Sequence, residues 1–568
     1  MFKKINIILT KNEKIKLILF SLGGLLSSIL EIIGIGTVGP ILLAILNPSF
    51  LINKINQFDQ LIFLQNIEIE KLMLLSFLIF FISFTFKSLF TFYISTRIIK
   101  IGTEIQKNLR EKFIRNFLKL NYENVTKIKS SEIFHYIGHI TRTFCQNTLV
   151  KIFLLISDFI VFVSIILLML ITNFKLFLLI FIILMMCYLF YYFFIRNKIE
   201  KFGRLFGKSD QSFIDISKSI VNGYKTIKIL NEDKIFLDLF KKNNLVSTHA
   251  EYNYTKILLL PKVILEISFI LIIASIFSLS ILFDGSLNPD RTALLGIFAI
   301  ASARAIPLIY NIFNSIGNIM GSKYSVEKIH KEVINNTEFL NQNLTDQKNE
   351  INFEFASLDF KNVSFNYYQN DDVISNFDLS IKKNEFVAIV GPSGSGKTTI
   401  IDIICGFLSP NDGKVLINNK INLKDTLYNW RKKISYTPQQ NFIFNGSVLE
   451  NITFSKELNN DELIKFNKVI EQTRLKNFLD QKNENYNFIV MEEGKNLSGG
   501  QAQRIALARA LYFNKEIIIF DESLNSLNEE LQKEIINECK NISKKITLIL
   551  ITHNKSILKH FDKVIELI

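Results

Sequence analysis

The stretch "EFVAIVGPSGSGKTTI" sets an apolar run, a glycine-rich turn and a helix start in immediate succession. Through Gly391, Gly396, Lys397 and Thr398 it fits the pattern G-x-x-x-x-G-K-S/T, whose chemistry is phosphate binding. Glycines let the backbone curl so that its N–H groups point at phosphate oxygens, and the helix N-terminus adds positive potential. Lys397 is expected to reach the outer phosphates and Thr398 to ligate Mg²⁺, with Ser393, Gly394, Ser395 and Thr399 completing the cradle. A second set of residues lies in apolar surroundings: Lys87 in "FTFKSLF", Lys262 in "LLPKVILEI" and Arg304 in "ASARAIP". An ionisable group inside a membrane span costs roughly 2.5–3.5 kcal/mol, so each is expected to face a cavity or a partner. Together they could line an electropositive cavity suited to a phosphate head group, with Pro307 bending its helix around it. For the lysines the competing readings are snorkelling to the interface and, for Lys262, pairing with Glu266.

Both sets need elements to hold them, and the 568-residue chain supplies two kinds. Hydrophobic residues make up 49% of it, yet they concentrate before about residue 320, where runs such as "LLISDFIVFVSIILLMLI" are long enough to cross a bilayer. Six candidate spans fall at roughly 15–46, 71–95, 148–172, 174–195, 257–284 and 292–320. The long connections after the second and fourth spans are rich in Lys and Arg and keep helical periodicity, as in "TRIIKIGTEIQKNLREKFIRNFLKL". By the positive-inside rule they face the cytosol with both termini, whereas "NPSFLINKINQFDQ" and "FDGSLNPDR" face outward. The basic start "MFKKINIILTKNEKIK" reads as a surface helix rather than a cleaved signal. Residues 1–320 are thus an all-α six-helix transmembrane domain, 321–350 a linker and 351–568 an α/β nucleotide-binding domain. The net charge of +14 fits the loops between spans, and no RNA-binding signature or compact basic tract points to nucleic acid. Four cysteines, scattered without paired spacing, indicate neither a zinc site nor a disulfide framework.

The stretch "NLSGGQAQRIALARAL", followed by "EIIIFDESLN", resembles the ATP-binding cassette (ABC) transporters, whose signature L-S-G-G-Q is present as Leu497 to Gln501. The resemblance implies ATP and Mg²⁺ as ligands, with Ser498, Gly499, Gly500 and Gln501 capping the ATP held by a second subunit's phosphate loop. It implies Asp521 and Gln439 beside Thr398 at the metal, and Glu522 as the general base that polarises the attacking water. It also implies Tyr367 stacked on adenine, Gln439 as a sensor and His553 as the switch that orients the γ-phosphate. Asn528 departs from the family, standing where an aspartate usually helps couple the two sites, and the chain stops at "FDKVIELI", which suggests no C-terminal regulatory extension. The membrane half is similar to exporter-type half-transporters, which implies a homodimer in the cytoplasmic membrane with its cassettes in the cytosol. "NYENVTKIKSSEIF" and "IVNGYKTIKIL" are then the candidate coupling helices. "LKLNYENV" and "LLPKVILEI" are similar to bacterial lipid-linked oligosaccharide flippases of the protein-glycosylation type, implying a lipid-pyrophosphate glycan as substrate. The alternatives are an exporter of peptides or small amphiphiles and, in another class, a DNA-repair or chromosome ATPase, which would carry coiled coils and no spans.

Overall fold

Apolar runs longer than a bilayer is thick dictate the first half of the fold. In the computed structural model, residues 1–38, 41, 69–284, 289–343, 352–367, 373–481, 485–524, 529–542 and 546–567 are described. Among them, six helices are long and apolar enough to span a membrane: Lys11–Gly36, Glu70–Phe117, Ser130–Thr172, Phe181–Asn222, Asp233–Ser275 and Gly296–Gly321. Their best windows have mean hydropathies between 1.4 and 2.9. At 1.5 Å per residue the 48-residue Glu70–Phe117 helix is about 72 Å long, more than twice a hydrocarbon core, so it continues well beyond the bilayer. The outward loop 47–60 and residues 285–288 of the other outward connection lie outside the described residues.

Lipid offers helices no hydrophobic incentive to associate, so close backbone approach and polar contacts hold them together. A Cβ on Gly24 would sit 2.9 Å from the carbonyl oxygen of Ser157, so the helices carrying them pass backbone close to backbone. The hydroxyls of Thr148 and Ser322 lie 2.6 Å apart in the same interior. Pro261 and Pro307 both sit inside continuous helices, Asp233–Asp284 and Pro289–Gly321.

The chain divides into two compact units, Met1–Leu120 with Lys127–Thr337, and Asn121–Thr126 with Glu338–Ile568. Much of the region expected as linker is helical, Lys323–Asn343, and ion pairs of Lys323 with Glu200 and Lys328 with Glu132 tie that helix to the first unit. Both candidate coupling segments contain a short helix, Tyr122–Thr126 and Tyr224–Leu230. Tyr122 packs within the second unit, its ring centroid 5.3 Å from that of Phe407.

The second unit holds eleven described strands: β1 Ser357–Phe365, β2 Ile374–Lys382, β3 Phe386–Val390, β4 Asp412–Ile417, β5 Ile421–Asn422, β6 Ile434–Thr437, β7 Gly446–Ser447, β8 Ile489–Val490, β9 Ile517–Asp521, β10 Thr547–Ile551 and β11 Lys563–Glu566. An antiparallel sheet runs β2-β1-β4-β5, a parallel one β11-β3-β10-β9-β6, and β7 pairs with β8. The parallel strands β9 and β10 are buried along their whole length, which explains why "IIIF" and "TLILI" read as unbroken apolar runs. In register, Ile551 of β10 pairs with both Ile389 of β3 and Asp521 of β9, and Thr437 of β6 pairs with Phe520. Four strands therefore end level with one another.

Candidate active site

Open parallel sheets bind ligands beyond the carboxyl ends of their strands. The phosphate loop leaves β3 there, Gln439 follows β6, Glu522 follows β9 and His553 follows β10. Gly394 and Gly396 have φ of +90° and +87°, a backbone that L side chains rarely adopt, and they turn the loop into the Lys397–Ile404 helix. Lys397 is buried and its Nζ donates to the carbonyls of Gly391 and Pro392 at 3.0 and 2.7 Å. Ser395 Oγ is buried without a hydrogen-bond partner, and Thr398 is exposed at the helix start. A cradle that leaves a buried hydroxyl unsatisfied fits an incoming phosphate oxygen.

Glu522 has φ +50°, a strained conformation for a residue other than glycine. Its two carboxylate oxygens are held from both sides: Gln439 Nε2 donates to Oε2 at 3.0 Å, and His553 Nε2 lies 3.0 Å from Oε1. Asp521 is buried and accepts from Tyr436 Oη at 3.2 Å. Burial, and then the charge of Glu522, hold the Asp521 carboxyl above its usual range, although Tyr436 and Lys397 act against this. Burial and the Asp521 charge push Asp402 to about 6. Two buried carboxyl groups that resist ionising together are relieved by a hard cation, and the oxygens of Thr398, Asp521 and Gln439 suit Mg²⁺. Tyr367 has a half-exposed ring edge-on to Phe365, and its hydroxyl is 3.2 Å from Thr399 Oγ1.

The signature opens the Gly499–Phe513 helix. Ser498 Oγ accepts from the Gln501 backbone N–H at 3.3 Å, while Gln501 Oε1 accepts from the Ser498 N–H at 2.8 Å. This reciprocal capping box gives Gln501 a structural task within its own chain. A Cβ on Gly499 or Gly500 would meet nothing within 4 Å, so the helix N-terminus is open to an approaching group. Asn528 lies outside the described residues.

The membrane cations are not three free charges. Lys87 Nζ is 2.7 Å from Glu31 Oε2, and the Glu31 side chain is only 1% exposed. Lys262 pairs with Glu266 at 3.9 Å along one exposed helix face. Arg304 is exposed and lies over the Phe84 ring, 4.1 Å from its centroid, without a carboxylate partner among the described residues. Two of the three expected cations therefore face a carboxylate, Glu31 or Glu266, and the third faces an aromatic ring. Sequence reasoning also missed Tyr436 and Asp402. Asp402, one helical turn beyond Thr398, was detectable by its i,i+4 spacing, whereas nothing local marks Tyr436.

Residues 20–303 match the ABC transporter transmembrane region family and residues 374–525 the ABC transporter family. The chain belongs to the ABC transporter family, with six membrane-spanning helices and a C-terminal cytosolic cassette. It is 33% identical over 260 residues to the lactococcin-G-processing and transport ATP-binding protein LagD of Lactococcus lactis subsp. lactis, a match covering 46% of this chain and 36% of LagD. It is 38% identical over 216 residues to the alpha-hemolysin translocation ATP-binding protein HlyB of Escherichia coli O157:H7, covering 37% of this chain and 30% of HlyB. The matched part thus spans about a third of those relatives. The structure of a bacterial Atm1-family ABC exporter with ATP bound superposes with a TM-score of 0.72 at 18% identity, covering 98% of this chain and 93% of that one, and so shares its fold.

Proposed function

We propose that two copies of this chain form an exporter that couples ATP hydrolysis to moving an amphipathic molecule, most simply a peptide, across the cytoplasmic membrane. The carrying observation is Glu522, strained and held between Gln439 and His553 at the end of β9, in the sheet whose β3 leads into the phosphate loop. There its carboxylate can take a proton from a water attacking the γ-phosphate, while His553 and Gln439 fix its orientation. Mg²⁺ would supply charge neutralisation at the phosphates, held through Thr398, Gln439 and Asp521. Lys397 would leave its loop carbonyls for phosphate oxygens, and Tyr367 offers a ring face to adenine.

The dimer follows from the open helix start at Ser498 to Gly500: one chain carries one loop and one signature, and a composite site takes one of each from different chains. Exposed Val221, Tyr224, Ile229 and Leu230 around the Tyr224–Leu230 helix support it, since an apolar tip of this kind needs a cover. Closure of the cassettes would then be transmitted to the membrane helices as a rigid-body movement.

Relatives named for transporting lactococcin-G and translocating alpha-hemolysin favour a peptide cargo. A lipid-linked oligosaccharide is the second reading, favoured by Arg304, whose charge rests on an aromatic ring and is available to a pyrophosphate. Reconstitution in liposomes separates them. With a peptide cargo, ATP drives labelled amphipathic peptide into the lumen and Arg304→Ala leaves the rate unchanged. With the lipid reading, labelled lipid-pyrophosphate glycan changes leaflet and Arg304→Ala stops it. Transport by Glu522→Gln at the wild-type rate would defeat both.

A further inference from the structure

Away from the nucleotide site, the first unit gathers two histidines and a carboxylate that the transport reading does not use. His135 ends the Ser130–His135 helix, His139 lies one turn on in a π-helical turn, Tyr136–Ile140, and Asp210 comes from the Arg196–Asn222 helix. Their ligand atoms all fall within 4.8 Å of one another. His135 is 3% exposed, and its Nε2 is buried with no hydrogen-bond partner. The two rings lie parallel with centroids 5.3 Å apart, and Phe206 meets the His139 ring edge-on at 5.5 Å.

The distances discriminate between two uses of these groups. Asp210 Oδ2 is 3.4 Å from His135 Nε2 and 3.5 Å from His139 Nδ1. A charge-assisted N–H···O hydrogen bond closes to about 2.7–2.9 Å, so both contacts are too long for one. Both match the edge of a coordination tetrahedron, since bonds of about 2.0–2.1 Å to nitrogen and oxygen put neighbouring ligand atoms about 3.4 Å apart, and the two histidine nitrogens lie within 4.8 Å of each other. Two of the nearby cations are directed elsewhere, while Arg142 shares a cavity with His139. Lys328 pairs with Glu132 at 3.0 Å, and Arg110 Nε donates to the Ile137 carbonyl at 2.8 Å. On its open side His139 lines a cavity of about 560 Å³ shared with Arg142, Gln146, Asn147, Tyr254 and Tyr324, which leaves room for a fourth ligand such as water.

We propose that His135, His139 and Asp210 form a binding site for a divalent transition-metal ion of the zinc class, which bridges the helix carrying the two histidines to the helix carrying Asp210. Two imidazoles and one carboxylate are the borderline N₂O set that Zn²⁺ and Co²⁺ accept, with a fourth position open to the cavity. The site stands independently of the cargo and of the ATP cycle.

The test uses full-length protein purified in detergent without a polyhistidine tag, stripped of metal and titrated with Co²⁺. The expected result is one Co²⁺ per chain with visible tetrahedral ligand-field absorption that Zn²⁺ abolishes. His139→Gln and Asp210→Asn should each weaken binding by more than the about 10- to 100-fold that outer-shell partners carry, while Glu132→Gln leaves it unchanged. Wild type that shows no such absorption, or variants that keep it, would overturn the assignment; a simple histidine–aspartate contact gives that first result. If the buried His135→Gln variant fails to fold, wild type against His139→Gln still decides.

Discussion

Glu522 in the cassette and Glu31 in the membrane unit are both glutamates held by side-chain partners, yet they do opposite things. Glu522 keeps 21% of its side chain exposed, and its partners, a glutamine and a histidine, orient the carboxylate without cancelling it as a fixed cation would. Glu31 is 1% exposed and lies against Lys87, a full opposite charge. The first arrangement leaves a carboxylate without a fixed counter-charge at a solvent-reachable strand end, as the proposed base requires; the second neutralises two charges that the membrane interior would otherwise penalise. An acid's partners, more than its burial, separate a working group from a structural one.

The comparison can be broken at either end. The largest expected effect is Glu522→Gln: ATP hydrolysis falls by about 10²–10⁴-fold while ATP binding persists, checked by phosphate release and by equilibrium binding of a fluorescent nucleotide. Hydrolysis near the wild-type rate would mean that the base is elsewhere. Next is Lys87→Ala, which leaves Glu31 buried without its counter-charge and should cost about 3–5 kcal/mol of stability, read as a lowered unfolding midpoint in detergent. Adding Glu31→Ala should recover most of that loss, and a double variant no better than the single one would show that the pair is not the cause. Tyr436→Phe removes one hydrogen bond to Asp521, worth about 1.5–3 kcal/mol for a charged acceptor, and should raise the Mg²⁺ concentration needed for half-maximal hydrolysis. The smallest effect belongs to Lys262→Ala: its exposed pair with Glu266 contributes about 0–1 kcal/mol, so the unfolding midpoint should hardly move.

The same contrast explains what could be read from the chain. At the candidate nucleotide site the strand order brings the glycine-rich loop, Glu522 and His553 together, and each follows an apolar run that announces its strand, so the placement of Lys397, Asp521, Glu522 and His553 at strand ends was legible from local sequence. Six spans were equally legible, because bilayer thickness fixes the length of an apolar run. Which span packs on which was not. Lys87 finds Glu31, and Arg304 finds Phe84, on helices distant in sequence, and no local periodicity encodes those neighbours. Lys262 with Glu266 was visible because four residues along one helix is a local relation. His135 and His139 share that spacing, but their third partner, Asp210, comes from another helix and passed unseen.

The most direct test of the central claim, that two chains build each ATP site, is cross-linking between differently tagged chains, one carrying Ser393→Cys and the other Ser498→Cys. Both would be in a Glu522→Gln background with the natural cysteines replaced, and treated with a short thiol-to-thiol reagent. The account predicts a doubly tagged product of twice the chain mass that appears only with ATP and Mg²⁺. A product confined to single chains, or none with nucleotide bound, would contradict it.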